Sequence, residues 1–261
     1  MNVDKLKIQS IEKKNPSLLP ENPILRYALQ AQAKMERLLY EEPDFLDVHK
    51  CCLQTLRIQR TLKAITLKMS LKGKRIADLG AGGGELTHLL SMEGAFVDAT
   101  DVATNALKYM QERNILKAKI IHDCLPHSKL QDSTYDVVIC ADVIADMPLN
   151  THRILMSDLA RMVKADGFII LSTELDFSTD YPLEHFENLA GTEFTIKECI
   201  TCYHKLFIQC LKVLNYLPLT RKLAKLLRQS HVINFFEKMS RLIWGDKAIS
   251  HAILICKRRM L

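Results

Sequence analysis

Glycines 80, 82 and 84 follow the short apolar run Ile76-Ala77-Asp78-Leu79 and lead directly into Glu85-Leu86, where a helix can begin. Such a turn does chemistry through its backbone. Glycine takes up positive φ without a Cβ penalty and leaves no side chain between a ligand and the main-chain N–H groups. The dinucleotide fingerprint G-x-G-x-x-G needs a further glycine where this chain has Glu85, so the spacing argues against a nicotinamide dinucleotide. Acids recur downstream at Asp101, Asp123, Asp142 and Asp146. An acid about 20 positions after the glycine turn, at the tip of a second strand, is where an α/β nucleotide site sets its acceptor for ribose hydroxyls, and Asp101 fits that place. Taken singly, each acid is also an ordinary strand-end or turn former.

The elements that must position these residues alternate in the manner of a parallel sheet covered on both faces. After strand 75–79 and helix 85–93, strands are expected at 95–100, 118–121, 135–140 and 168–173, with a helix at 151–165 and a turn at Asp166-Gly167. Two more strands are expected at 193–203 and 248–256. In such a sheet the ligand crevice lies at the carboxyl ends of the strands, where Asp78, Asp101, Asp123 and Ala141 all fall.

The segment Asp78-Leu79-Gly80-Ala81-Gly82-Gly83-Gly84 resembles motif I, D-x-G-x-G-x-G, of the class I S-adenosylmethionine (SAM) dependent methyltransferases. Further segments agree in order across residues 72–173. The resemblance implies a Rossmann-like sheet, mostly parallel with an antiparallel last strand, with SAM as cofactor. It implies a cofactor site of Asp78, Gly80, Ala81, Gly82, Gly84, Asp101, Val102, Asp123, Cys124 and Ala141, in which Asp101 serves the ribose and Asp123 the adenine amino group. The loop after the fourth strand reads Ala141-Asp142-Val143-Ile144-Ala145-Asp146. The ubiquinone-pathway O-methyltransferases commonly have E-V-L-E-H there. Asp142 replaces the first Glu and Asp146 the His, so a histidine-base or metal-assisted mechanism is not carried over. Asp142 and Asp146 are the candidates for orienting an acceptor, and each is equally a candidate cap of the next helix. His127, His152 and His185 are isolated and read as structural or surface residues.

Composition sets the frame. The 261 residues are those of an ordinary globular α/β protein with 25% charged residues. No apolar run is long enough to span a bilayer and the N-terminus lacks a signal-peptide core, so a cytoplasmic site is the expectation. Eight cysteines are scattered without a secreted-protein pattern. Cys199 and Cys202 form a C-x-x-C with no second pair at zinc spacing, so they read as structural and no metal is expected.

Residues 1–70 are expected to form an N-terminal helical lid, with helices at 24–40 and 45–70. Arg26, Tyr27 and Tyr40 either line that lid or pack a helix on the sheet. Residues 71–261 are expected to form the methyltransferase domain, with a helical insertion at about 204–246 between the last two strands. Residues 205–261 hold 12 Lys and Arg against 2 Asp and Glu, while residues 1–204 hold 24 against 28. Within the insertion Leu219, Leu223, Leu226 and Leu227 share a helical face beside Arg221, Lys222, Lys225 and Arg228, and Phe235, Phe236, Leu242 and Trp244 follow. This basic amphipathic pattern reads as a peripheral contact with an anionic membrane or as a cap on its own domain, with nucleic acid behind both.

The loop after the fourth strand lacks N-P-P-[YFW] and no Pro-Cys dipeptide occurs, which disfavours adenine-amino and cytosine-C5 methylation of nucleic acid. The expected function is methyl transfer from SAM to a small-molecule acceptor, lipophilic or membrane-held. The rivals are an RNA or protein methyltransferase and a SAM-binding protein without activity.

Overall fold

The computed structural model describes residues 22–40, 52–175, 182–216 and 229–259. Two helices come first, α1 (Pro23–Tyr40) and α2 (Cys52–Thr66). There follow β1 (Arg75–Leu79), α3 (Glu85–Met92), β2 (Phe96–Asp101), α4 (Thr104–Glu112), β3 (Ala118–His122), β4 (Tyr135–Ala141), α5 (His152–Met162) and β5 (Val163–Glu174). The chain continues through α6 (Leu183–Ala190), β6 (Phe194–Cys202), α7 (Lys205–Tyr216), α8 (Ser230–Trp244) and β7 (His251–Arg258).

The seven strands form one sheet in the order β3-β2-β1-β4-β5-β7-β6. Strands β1 to β5 run parallel, and β7 is antiparallel to both β5 and β6. The last strand is therefore the antiparallel one, as the resemblance implied. Central strands are apolar nearly throughout because helices cover both faces. Alternation divides them between two cores. Ala77, Leu79, Val138, Cys140, Ile169 and Leu171 pack with Met156 and Leu159 of α5 on one face. Ile76, Val97, Val137, Ile139 and Ile170 pack with Leu86 and Leu90 of α3 and Ile65 of α2 on the other.

Three boundaries differ from the sequence expectation, the first being the end of α2 at Thr66, four residues short of the expected 70. Helix α5 ends at Met162, and β5 begins at Val163, so Asp166-Gly167 lies inside a strand and not in a turn. The reason is local crowding. The register of β4 against β5 shifts between Tyr135 and Val137, and a Cβ on Gly167 would stand 2.9 Å from the Asp136 carbonyl oxygen and 2.7 Å from Val163 Cγ2. Glycine there lets the two backbones close up. The seventh strand begins at His251 after a 3₁₀ turn at Gly245–Ala248, three residues later than expected. The insertion between β6 and β7 is helical where it is described, in α7 and α8; the leucine and arginine positions 219–228 lie outside the described residues.

Candidate functional site

Three of the glycines in the turn after β1 adopt positive φ: 70° at Gly80, 55° at Gly82 and 77° at Gly84. Their reasons differ. A Cβ on Gly80 would sit 2.3 Å from Val143 Cγ2, so glycine is needed for the close approach of the loop after β4. A Cβ on Gly82 would meet nothing within 4 Å, because that position faces open space. At Gly84 the Cβ would strike Met110 Cγ at 2.6 Å, so this glycine seats α3 against α4 and does not line the crevice.

The crevice is made of two adjoining cavities at the carboxyl edge of the sheet, of about 110 and 160 Å³. Gly80, Gly82, Met35 and Asp142 border both. The first is completed by Tyr27, Thr100, Asp101, Val102, Asp123 and Leu125, among others. The second is completed by Arg57, Asp78, Ala81, Glu85, Ala141 and Ser172, among others. Of the residues named from the sequence, Gly84 and Cys124 do not border either cavity. The Cys124 thiol is half-buried beside the Leu125 carbonyl, and burial pushes its pKa up.

Asp101 accepts hydrogen bonds from Gly82 N (2.9 Å) and Ala103 N (2.8 Å), so it fastens the glycine turn to the end of β2. Burial raises its pKa, against the pull of those backbone donors. Asp123 Oδ2 accepts from Ser128 Oγ (2.5 Å) and Lys129 N (3.0 Å), while its Oδ1 is buried without a hydrogen-bond partner. A buried acceptor of this kind needs a donor, since leaving it unpaired costs ~1–3 kcal/mol. Asp78 accepts from Thr87 Oγ1 (2.6 Å), yet burial, assisted by the nearby Asp101 and Glu85, lifts its pKa to about 6. Glu85 is neutralised by Arg113 at 2.6 Å.

Asp142 takes a φ of 58°, unusual for a residue with a side chain. Its carboxylate is 2.5 Å from His251 Nε2 and 3.7 Å from Arg57 Nη1. Burial would raise its pKa, but the two cations outweigh that and hold it well below the usual carboxylate range. His251 is driven the other way: burial would lower its pKa, and Asp142 raises it. Asp146 also borders the first cavity, where it pairs with Lys34 of α1, both side chains half-exposed. Neither acid caps the following helix, because the 3₁₀ turn at Ile144–Asp146 and helix α5 lack side-chain caps.

The sequence reading missed Arg57 and His251. They lie far from the β4 loop in the chain and carry no local motif. Tyr27 does face the crevice as well as packing: burial, together with the nearby Asp101, keeps its hydroxyl protonated. Arg26 is exposed, and the Tyr40 side chain lies outside the described residues.

A second polar cluster lies at the far end of β6. Ligating atoms of Cys202, His204 and Glu237 come within 4.8 Å of one another. Arg60 donates to Cys202 Sγ (2.9 Å) and to Glu237 (2.9 and 2.5 Å), so a guanidinium already supplies the cation that these groups require. Glu237 is pushed down to about 2, burial opposing and Arg60 with His204 prevailing. Cys202 is thus a member of a buried polar cluster as well as a packing thiol.

A methyltransferase domain family matches residues 76–167. The ubiquinone biosynthesis O-methyltransferase of Glaesserella parasuis is 30% identical over 135 residues, 49% of this chain and 55% of that protein. The chloroplastic magnesium protoporphyrin IX methyltransferase of Arabidopsis thaliana is 30% identical over 44% of this chain and 37% of its own length. The chain spans about half the length of the ubiquinone-pathway relatives it matches. Among solved structures, a TehB-like SAM-dependent methyltransferase from Corynebacterium glutamicum superposes with a TM-score of 0.56 at 12% identity, covering 87% of this chain and 99% of that one. Phosphoethanolamine N-methyltransferase 2 of Haemonchus contortus, in complex with SAM, gives 0.56 at 19% identity over 77% of this chain and 53% of its own. At these identities the structural likeness concerns the fold.

Proposed function

We propose, from the premise that this chain carries a class I SAM-dependent methyltransferase domain, that it transfers a methyl group from SAM to a small-molecule acceptor. The observation that carries the reading is the shared space in front of Gly82, bordered by Asp101 and by Asp123 with its orphaned Oδ1. The set of acceptors fits an adenosyl ligand. Asp123 Oδ1 would accept from the adenine amino group and Asp101 from the ribose hydroxyls, with Val102 beside them. The glycine turn, Ala81 and Ala141 would border the methionine end, where Arg57 supplies a cation for a carboxylate. The cofactor supplies a methyl on a sulfonium, whose positive charge disappears as the new bond forms.

The rest is the work of the chain's own residues. Tyr27, Met35, Leu125 and Val143 give the first cavity an apolar side against which a nucleoside would lie, and methyl transfer from a sulfonium is favoured where such surfaces displace water. Holding nucleophile and methyl in line is worth up to ~7–11 kcal/mol. Asp142 stands where the two cavities meet and stays ionised, so it acts as a fixed hydrogen-bond acceptor for an acceptor O–H or N–H. Its low pKa makes it a positioning group and a poor general base. The small-molecule acceptor is supported by the relatives named for ubiquinone biosynthesis and magnesium protoporphyrin IX.

The test has two arms. Calorimetric titration with S-adenosylhomocysteine should show stoichiometric binding that Asp101→Ala weakens by roughly 1–3 kcal/mol. Tritiated methyl from SAM, offered with a cell extract, should then enter the lipid or soluble fraction. Label confined to RNA or protein would move the acceptor to those classes, and binding without any transfer would make the chain a SAM-binding interaction protein.

A further inference from the structure

The rotation of α8 about its axis is fixed by what it turns inward. Ile233 is fully buried with Leu56 of α2 and Phe207 of α7, and Phe236 packs edge-on against Phe207. Ser240 Oγ accepts from Leu206 N at 3.1 Å, and Glu237 is bound by Arg60. The opposite side is left with large apolar groups in water: Phe235 is 60% exposed, Leu242 79% and Ile243 53%. Lys238 stands exposed between Phe235 and Leu242, Arg241 lies at the edge of this face with its guanidinium over the Tyr203 ring, and Lys247 follows in the 3₁₀ turn.

We infer that this outer face of α8 is a docking surface for an anionic lipid bilayer. Charge complementarity selects the partner. The cations on and beside this face are Lys238, Arg241 and Lys247, against the exposed Asp246, while the other acid, Glu237, is turned inward onto Arg60. The face is therefore basic as well as apolar, the combination that lies in a membrane interface with its cations at the headgroups. A second copy of the same surface would be repelled by like charge. An RNA backbone would use the cations but would leave exposed Leu242 and Ile243 in water. No described helix is long and apolar enough to cross a membrane, so the contact is peripheral.

The surface is coupled to the crevice by a single helix. Helix α2 seats α8 through Leu56 and Arg60, and the same helix presents Arg57, Ile58 and Thr61 to the second cavity. A bilayer under α8 would hold the crevice near the interface, which suits a lipophilic acceptor; that consequence rests on the methyl-transfer reading, whereas the surface itself does not.

Vesicle flotation of the full chain tests the inference, using phosphatidylcholine vesicles with and without phosphatidylglycerol. The protein should float with the anionic vesicles at low salt and be released at high salt. Phe235→Ser with Leu242→Ser, and separately Lys238→Glu with Lys247→Glu, should each weaken binding at least ~tenfold. Circular dichroism and S-adenosylhomocysteine binding should stay as in the wild type, since none of these residues borders the crevice. Equal flotation of both variants, absence of flotation, or displacement of the protein from vesicles by RNA at equal charge would overturn the inference. Loss of S-adenosylhomocysteine binding by the wild type would instead strike the methyl-transfer reading and leave the surface standing.

Discussion

Among single residues, Asp78 carries a clear electrostatic cost in the crevice. It is fully buried, has one hydroxyl donor in Thr87, and stands near Asp101 and Glu85, which explains a pKa of about 6 against an ordinary 3.8. Because the folded protein holds this proton more tightly than the unfolded chain, the stability associated with Asp78 is complete below about pH 4 and is lost as pH rises through about 6. A shift of this size corresponds to roughly 2–3 kcal/mol. Asp78→Asn should thus be more stable than the wild type at pH 7 and equal to it near pH 4. Urea unfolding across that range checks this, and parallel stability curves would show that Asp78 titrates normally. Asp142 is the opposite case: His251 and Arg57 keep it charged across the same range, so it contributes no comparable slope.

The turn between β1 and α3 shows how a single element divides its work among glycines. Gly80 and Gly82 both have positive φ, but only Gly80 is in contact with protein where a Cβ would stand. Gly80→Ala should therefore cost stability, by roughly 1–3 kcal/mol from clash with Val143 and backbone strain. Gly82→Ala should cost about 1 kcal/mol from strain alone, yet it should abolish or strongly weaken S-adenosylhomocysteine binding because the new methyl enters the ligand space. Thermal melts paired with titrations would separate the two, and a Gly82→Ala protein that binds normally would place the ligand elsewhere.

This element was legible in the sequence because its signal is local: the glycine spacing, the apolar strand before it and the acid at the tip of β2 all lie within a short stretch of chain. The parallel sheet was legible for the same reason, as alternating apolar runs. What was not legible is long-range. Asp142 meets His251 across 109 positions, at a β7 start that the 3₁₀ turn displaced from the expected boundary. The early start of β5 depends on crowding of Gly167 against β4, which apolar periodicity does not encode.

At the scale of the whole molecule, the crevice has the sheet edge for its floor and α1 for its roof. The floor is the sheet edge, with β1, β4 and β5 among the most buried strands. The roof is α1, which reaches the rest through buried Tyr27 and Met35, through Gln32, which accepts from Thr104 N at 2.7 Å, and through the surface pair of Lys34 and Asp146. Half-exposed ion pairs contribute little, on the order of 0–1 kcal/mol, and elements with few buried contacts open locally well below the global stability. A ligand in the first cavity would touch both floor and roof, since Tyr27, Ala31 and Met35 border the same space as Asp101 and Asp123. Its binding free energy must then stabilise the closed position of α1 as well as the global fold, by ~2.7 kcal/mol at one hundred times Kd. Hydrogen exchange with saturating S-adenosylhomocysteine should slow the amides of residues 23–40 and of the glycine turn, while those of β1 and β4 change only by the global increment. Protection confined to the turn, with α1 exchanging as in the free protein, would show that the helix packs on the sheet without closing over the ligand.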